Sequence, residues 1–250
     1  KIFNFSNYES KNEWYTYPNL FKILKTAGYY TVWLSSQETS VFDETTAANY
    51  PKICDVYKFP EFLETSKIYN PGELKDEIIL SWLDEQLPNV HDKNFYLLHL
   101  LGAHCSYNHR YTEIFNKFTP EDEFKGNGFD NETQREMRAA YDNATLYNDF
   151  IVDEIIKRFE DKNAIVIYVS DHGEEVGDVM DYFGHGILPW FSCSSGMLEI
   201  PFLIWMSEKC RAENPELEQK IAASVHRPYM TDDLIHTMLD ILDIETEDYD

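Results

Sequence analysis

An unbroken apolar, largely β-branched run over residues 164–169, AIVIYV, stops abruptly at Ser170-Asp171-His172-Gly173. A strand that is apolar along its whole length needs cover on both faces, which predicts a buried strand of the kind found in the middle of a parallel sheet. The rest of the chain supplies the partners such a strand requires. Pro18 stands at a first helical turn, and Leu20, Ile23, Leu24 and Ala27 follow at helical spacing until Gly28, after which residues 29–34 read as a strand. Residues 94–101 and 200–206 read as further buried strands. From Glu132 towards Asp161, Met137, Ala140, Tyr141, Ala144, Tyr147, Ile151, Ile155 and Phe159 share one helical face and form an amphipathic cover. Another helix opens at Pro71-Gly72 and ends before Pro88, and Thr231 or Asp232 caps a last one running to Leu242. The expected fold is α/β, with a mostly parallel central sheet covered by helices on both faces. No repeat and no convincing linker divides residues 1–250, so one domain is expected.

Ligands of open α/β sheets bind beyond the carboxyl ends of the strands, where Asp171 and His172 fall. Gly173 reads as making room for an ion there, and Gly184 and Gly186 as doing the same around His185. A carboxylate beside an imidazole suits Zn²⁺, with Mn²⁺ as the other choice, better than Mg²⁺ or Ca²⁺. The pattern recurs after residues 94–101, where Gly102-Ala103-His104 brings a second histidine to the same kind of edge. His99, inside the strand, reads as a packed and hydrogen-bonded core residue, and Cys105 as an inert buried thiol, with contact to a metal as the alternative. Gln37 lies in a polar loop, residues 35–40, past the first strand. The segment 107–111, YNHRY, is aromatic and basic; it either meets an anionic substrate or pairs His109 and Arg110 with surface acids. Residues 119–131 read as an exposed loop, and 187–196 as a candidate lid.

With 21 basic against 45 acidic residues the formal net charge is −24, a surface that repels nucleic acid and anionic membrane. An anionic substrate therefore needs a local cation, and a bound metal supplies one. No apolar run has the length of a membrane span and no signal peptide is visible. The chain begins at Lys1 and reads as a soluble portion of something longer. Cys54, Cys105, Cys193 and Cys210 permit two disulfides without requiring any.

The series NLFKILKTAGYYTVWLSSQ, YLLHLLGAH, YDNATLYNDFIVDEII, VIYVSDHGEEVGD, GHG, EIPFLIWMS and DLIHTMLDILDI resembles, in order and character, the phosphoethanolamine transferases. These form part of the sulfatase-like branch of the alkaline phosphatase superfamily. The most specific pieces are Ser-Asp-His-Gly-Glu with the later His-Gly, and Tyr-Asp-Asn taken as a helix start. The resemblance implies a membrane-anchored enzyme of the bacterial inner membrane whose catalytic domain faces the periplasm. It would move phosphoethanolamine from phosphatidylethanolamine to lipid A or another glycan through a phospho-threonine intermediate. It makes Asp171 and His172 zinc ligands and gives Glu174 contact with the substrate or its amine. His104 and His185 become the catalytic pair that binds the phosphoryl group or a second zinc, and Gln37 stands near the substrate. The nucleophilic threonine and the first carboxylate ligand would lie before Lys1, so the chain alone is expected to be inactive. Sulfatase or phosphodiesterase hydrolysis, phosphoglycerol transfer and a non-catalytic binding module are the alternatives.

Overall fold

The computed structural model of the chain describes residues 2–6, 9–37, 49–60, 75–89, 91–123, 131–186 and 192–246. The expected start of a helix at Pro71-Gly72 and the first half of the candidate lid, residues 187–191, lie outside these residues. In chain order the elements begin with α1 (Leu20–Thr26), β1 (Tyr30–Ser35), β2 (Val56–Lys58), α2 (Glu77–Gln86), β3 (Asn94–His99), α3 (Glu132–Lys157) and β4 (Ile165–Val169). They continue with β5 (Glu175–Val176), β6 (Phe183–Gly184), α4 (Ser195–Leu198), β7 (Phe202–Met206), α5 (Glu208–Glu213), α6 (Pro215–Ser224) and α7 (Leu234–Ile241). None of these helices is long and apolar enough to cross a membrane. The backbone groups into two compact units, one of Lys1–Lys67, Ser81–Leu100 and Gln219–Asp250, the other of Ile68–Leu80 and Leu101–Glu218.

In the first unit the Asn19 side chain accepts from the Lys22 N–H at 3.1 Å and so starts α1. Gly28, at φ +84°, supplies the left-handed step that turns the chain into β1. β1 is the middle strand of a three-stranded parallel sheet, with Val32 opposite Val56 of β2 on one side and Tyr96 of β3 on the other. Bonded on both edges, it is buried from Thr31 to Ser35. Its Trp33 joins Phe21 and Cys54 in a core completed by Phe3, Tyr50, Ile53, Phe59, Phe95 and Leu97. That apolar wall pushes the Cys54 thiol up to about 11. His99 at the end of β3 shares a 2.9 Å hydrogen bond between Nδ1 and Ser35 Oγ.

The second unit is built around α3, opened by a reciprocal capping box between Asn131 and Gln134. Ala144, Tyr147, Ile151 and Ile155 bury its apolar stripe, and two amides share that face. Asn143 accepts the N–H groups of Lys117 at 2.7 Å and Phe118 at 2.8 Å, while Asn148 donates to the Tyr168 hydroxyl at 2.7 Å. Tyr141-Asp142-Asn143 therefore lies inside α3 rather than at a helix start; it is kept polar by the loop that Asn143 ties down. α2 begins at Glu77, after the non-helical Lys75 and Asp76, later than its sequence pattern indicated.

β4 differs from expectation in its partner. It pairs antiparallel with β7, Ile167 opposite Ile204, and all of its residues are half-buried. An apolar run specifies how much cover a strand wants but carries no information on the direction of its neighbour. β5 and β6 form a short antiparallel pair that folds the chain after β4 back on itself.

Candidate metal and phosphoryl site

The turn after β4 is fixed by its own polar groups. Ser170 Oγ donates to the His172 carbonyl at 2.6 Å, the His172 N–H donates to Asp171 Oδ1 at 3.1 Å, and His172 Nδ1 lies 2.9 Å from the Gly173 carbonyl. Gly173 does not serve to clear space for an ion. Its N–H donates to Met197 O at 3.1 Å, and a Cβ there would stand 2.1 Å from the Gly196 carbonyl, so glycine is required by another stretch of backbone. Gly184 is likewise needed for its φ of +122°; the nearest atom to a Cβ at that position is the Tyr182 hydroxyl, at 3.7 Å.

The β5–β6 pair brings residues eleven apart in sequence together. His185 Nδ1 is 2.6 Å from Glu174 Oε2, and the other Glu174 oxygen accepts from the Tyr107 hydroxyl at 2.5 Å. The Glu174 side chain is 8% exposed and that of His185 37%. The His172 ring lies over His185 with centroids 3.6 Å apart and planes 30° from parallel. Ligand atoms of His172, Glu174 and His185 all fall within 4.8 Å of one another. His104 approaches His185 edge-on at 6.1 Å between centroids. Asp171 stands beside this group, its Oδ1 3.6 Å from His172 Nε2, with a side chain that is 71% exposed. Gln37 belongs to the first unit, where its N–H donates to Ser35 Oγ at 3.1 Å.

Two imidazoles and a carboxylate form a donor set of the kind zinc takes, with Asp171 adjacent as a further oxygen. Tyr107 is held as a neutral donor: burial raises its pKa, and the hydrogen bond to Glu174 raises it further. Sequence reading noted Tyr107 only as part of the segment 107–111 and gave it no role of its own, although a tyrosine 5% exposed must find a partner for its hydroxyl. Of the two readings of 107–111, the pairing of Arg110 with a surface acid is not seen among the described residues; Arg110 donates through Nε to the His104 carbonyl at 2.9 Å and through Nη2 to that of Cys105 at 2.7 Å. Cys105 is exposed rather than buried, its Sγ 3.6 Å from His104 Nδ1. No disulfide joins the four cysteines to one another.

The sulfatase family profile matches residues 2–244. The chain belongs to the sulfatase family. Among curated proteins it is 33% identical over 250 residues to phosphoethanolamine transferase EptC of Escherichia coli O18:K1:H7, a match covering 98% of this chain and 41% of that protein. It is 33% identical to phosphoethanolamine transferase CptA of Salmonella typhimurium over 97% of this chain and 41% of that one. The chain thus spans about two-fifths of the length of these relatives. Among solved structures, the C-terminal periplasmic domain of E. coli EptC in complex with Zn superposes with a TM-score of 0.84 at 31% identity, covering 100% of this chain and 68% of that chain. The phosphonate monoester hydrolase of Agrobacterium radiobacter, at 16% identity and a TM-score of 0.63, shares the α/β fold alone. The fold is that of the alkaline phosphatase and sulfatase-like proteins.

Proposed function

We propose that this chain is the catalytic portion of a zinc-dependent phosphoethanolamine transferase of the bacterial inner membrane, working on the periplasmic side. Its donor is phosphatidylethanolamine and its acceptor lipid A or another envelope glycan. The observation that carries this is the convergence of His172, Glu174 and His185, with His104 beside them, in a sulfatase-family chain whose relatives are phosphoethanolamine transferases. We also propose that residues 1–250 act as one sulfatase-like domain.

His172 is the zinc ligand common to the resemblance and the geometry, and Asp171 is its sequence partner; Glu174 and His185, which stand against His172, face the substrate. Zinc held there supplies a Lewis acid that neutralises phosphoryl charge and makes a hydroxyl nucleophilic near neutral pH. The chain's own groups do the rest. His104 and His185 bind the phosphoryl oxygens and return a proton to the departing alcohol. Glu174, with one oxygen on Tyr107 and the other on His185, orients that imidazole and carries the charge it gains. On the resemblance alone, Gln37 is assigned to substrate binding. The intermediate is a phospho-threonine, which lets a single site serve two lipid substrates in turn.

The test is His172→Ala in the parent protein. Transfer from a labelled phosphatidylethanolamine donor should fall about 100-fold or more, the scale of losing a principal electrostatic group, and zinc measured by mass spectrometry should drop below stoichiometric. The circular dichroism spectrum should not change. Wild-type turnover in the variant would remove the proposal, and release of free phosphoethanolamine to water by the wild-type protein would turn it into a hydrolase.

A further inference from the structure

The loop that presents His104 is held at both ends by charged side chains to which the transfer reading gives no role. At its start Asp76, 3% exposed, spends one carboxylate oxygen on each of two successive amides, accepting from Leu101 at 2.9 Å and Gly102 at 2.8 Å. At its end Arg110 reaches back to two successive carbonyls, those of His104 and Cys105. These are charge-assisted bonds made by one planar fork, a geometry that a lysine ammonium cannot copy. Burial lowers the Arg110 pKa, and the Asp76 carboxylate followed by the Cys105 sulfur opposes that effect. The His104 side chain is on the exposed side of the loop, and its Nδ1 lies 2.7 Å from the same Cys105 oxygen that Arg110 binds. The position of the imidazole is therefore set by the backbone under it, and that backbone by Arg110.

We propose that Arg110 is the positioning residue for His104, with Asp76 fixing the other end of the same loop. The inference rests on the reading that His104 acts on the transferred phosphoryl group. Arg110→Ala and Arg110→Lys are compared with wild type in the parent protein. Three quantities are measured: transfer kinetics, the thermal unfolding midpoint, and the rate at which diethyl pyrocarbonate modifies His104, followed by peptide mass spectrometry with His226 as the internal reference. In Arg110→Ala, kcat should fall about 10- to 100-fold, the scale of a small misplacement of a reacting group, while KM and the midpoint hold. His104 should be modified several-fold faster as Nδ1 loses its fixed carbonyl. Arg110→Lys should behave like the alanine variant and not like wild type. Full activity in the lysine variant, or unchanged His104 reactivity in both variants, would overturn the inference. If wild type itself transfers no phosphoethanolamine, the transfer reading fails, and the His104 modification rates still decide whether Arg110 holds the loop.

Discussion

β1 and β4 are similarly apolar strands, yet the molecule uses them differently. β1 is hydrogen-bonded on both edges and buried from Thr31 to Ser35. β4 bonds β7, and each of its residues stays half-buried. Around β1 the contacts are rings: Phe21 meets Trp33 at 5.3 Å, Phe3 at 5.4 Å and Phe95 at 6.2 Å between centroids. Beyond β4 the contacts are side chains bonded to backbone, Asp76 and Arg110 on the His104 loop, Asn143 on residues 117–118, and Glu175 Oε1 on the amides of Asp178 and Val179. Both units are held by packing, the second around the buried stripe of α3 and the Tyr107 cluster. The second in addition holds reactive groups at fixed places by polar tethers, which define position at small net gain in stability.

The most direct way to break this contrast is Phe21→Ala. Phe21 is fully buried and touches aromatic rings on several sides. Its loss should cost about 3–5 kcal/mol in urea unfolding, from lost transfer energy plus the cavity left behind. A cost below 1 kcal/mol, a small fraction of that estimate, would mean that the ring cluster is not what holds this unit. The corresponding change in the second unit is Asn143→Ala, which leaves the Lys117 and Phe118 amides without their acceptor. About 2–4 kcal/mol is expected from two unsatisfied donors, together with faster hydrogen exchange at those two amides. If exchange stays slow, the loop has another anchor and the tether reading is wrong.

The same contrast decides what could be read from sequence. α1, β1, β3 and β7 were legible because burial writes itself as apolar periodicity, and Gly28 because a helix end needs a left-handed residue. His172, His104 and His185 were legible as histidines placed after strands or between glycines. The pairing of Glu174 with His185 was not, since the two-residue strands β5 and β6 are too short to show a period. Nor was the antiparallel setting of β4, for the reason that composition reports cover and not direction. Gly173 looked like room for an ion because its true neighbour, the backbone at Gly196, is more than twenty residues away. Arg110 and Asn143 stood out in 107–111 and in Tyr-Asp-Asn, but they bind backbone groups, which every residue has, so the sequence does not show their partners.

The smallest effect tests whether α3 itself depends on a tether. Asn131 accepts from Gln134 N at 3.0 Å and Gln134 Oε1 accepts from Asn131 N at 3.1 Å, both at the exposed start of the helix. Asn131→Ala should cost about 1 kcal/mol, small because the buried stripe from Ala144 to Ile155 holds the helix regardless of its first turn. Asn131→Asp separates two contributions. A carboxylate keeps the acceptor and suits the positive end of the helix dipole, but Gln134 already donates to Asp181 at 2.6 Å and the chain carries a net charge of −24. The local gain and the added repulsion should nearly cancel at low ionic strength. Salt screens the long-range repulsion more than the contact at the cap, so Asn131→Asp should become the more stable form as salt is raised. A stability difference from wild type that does not change between low and high salt would show that the cap acts through its hydrogen bonds alone.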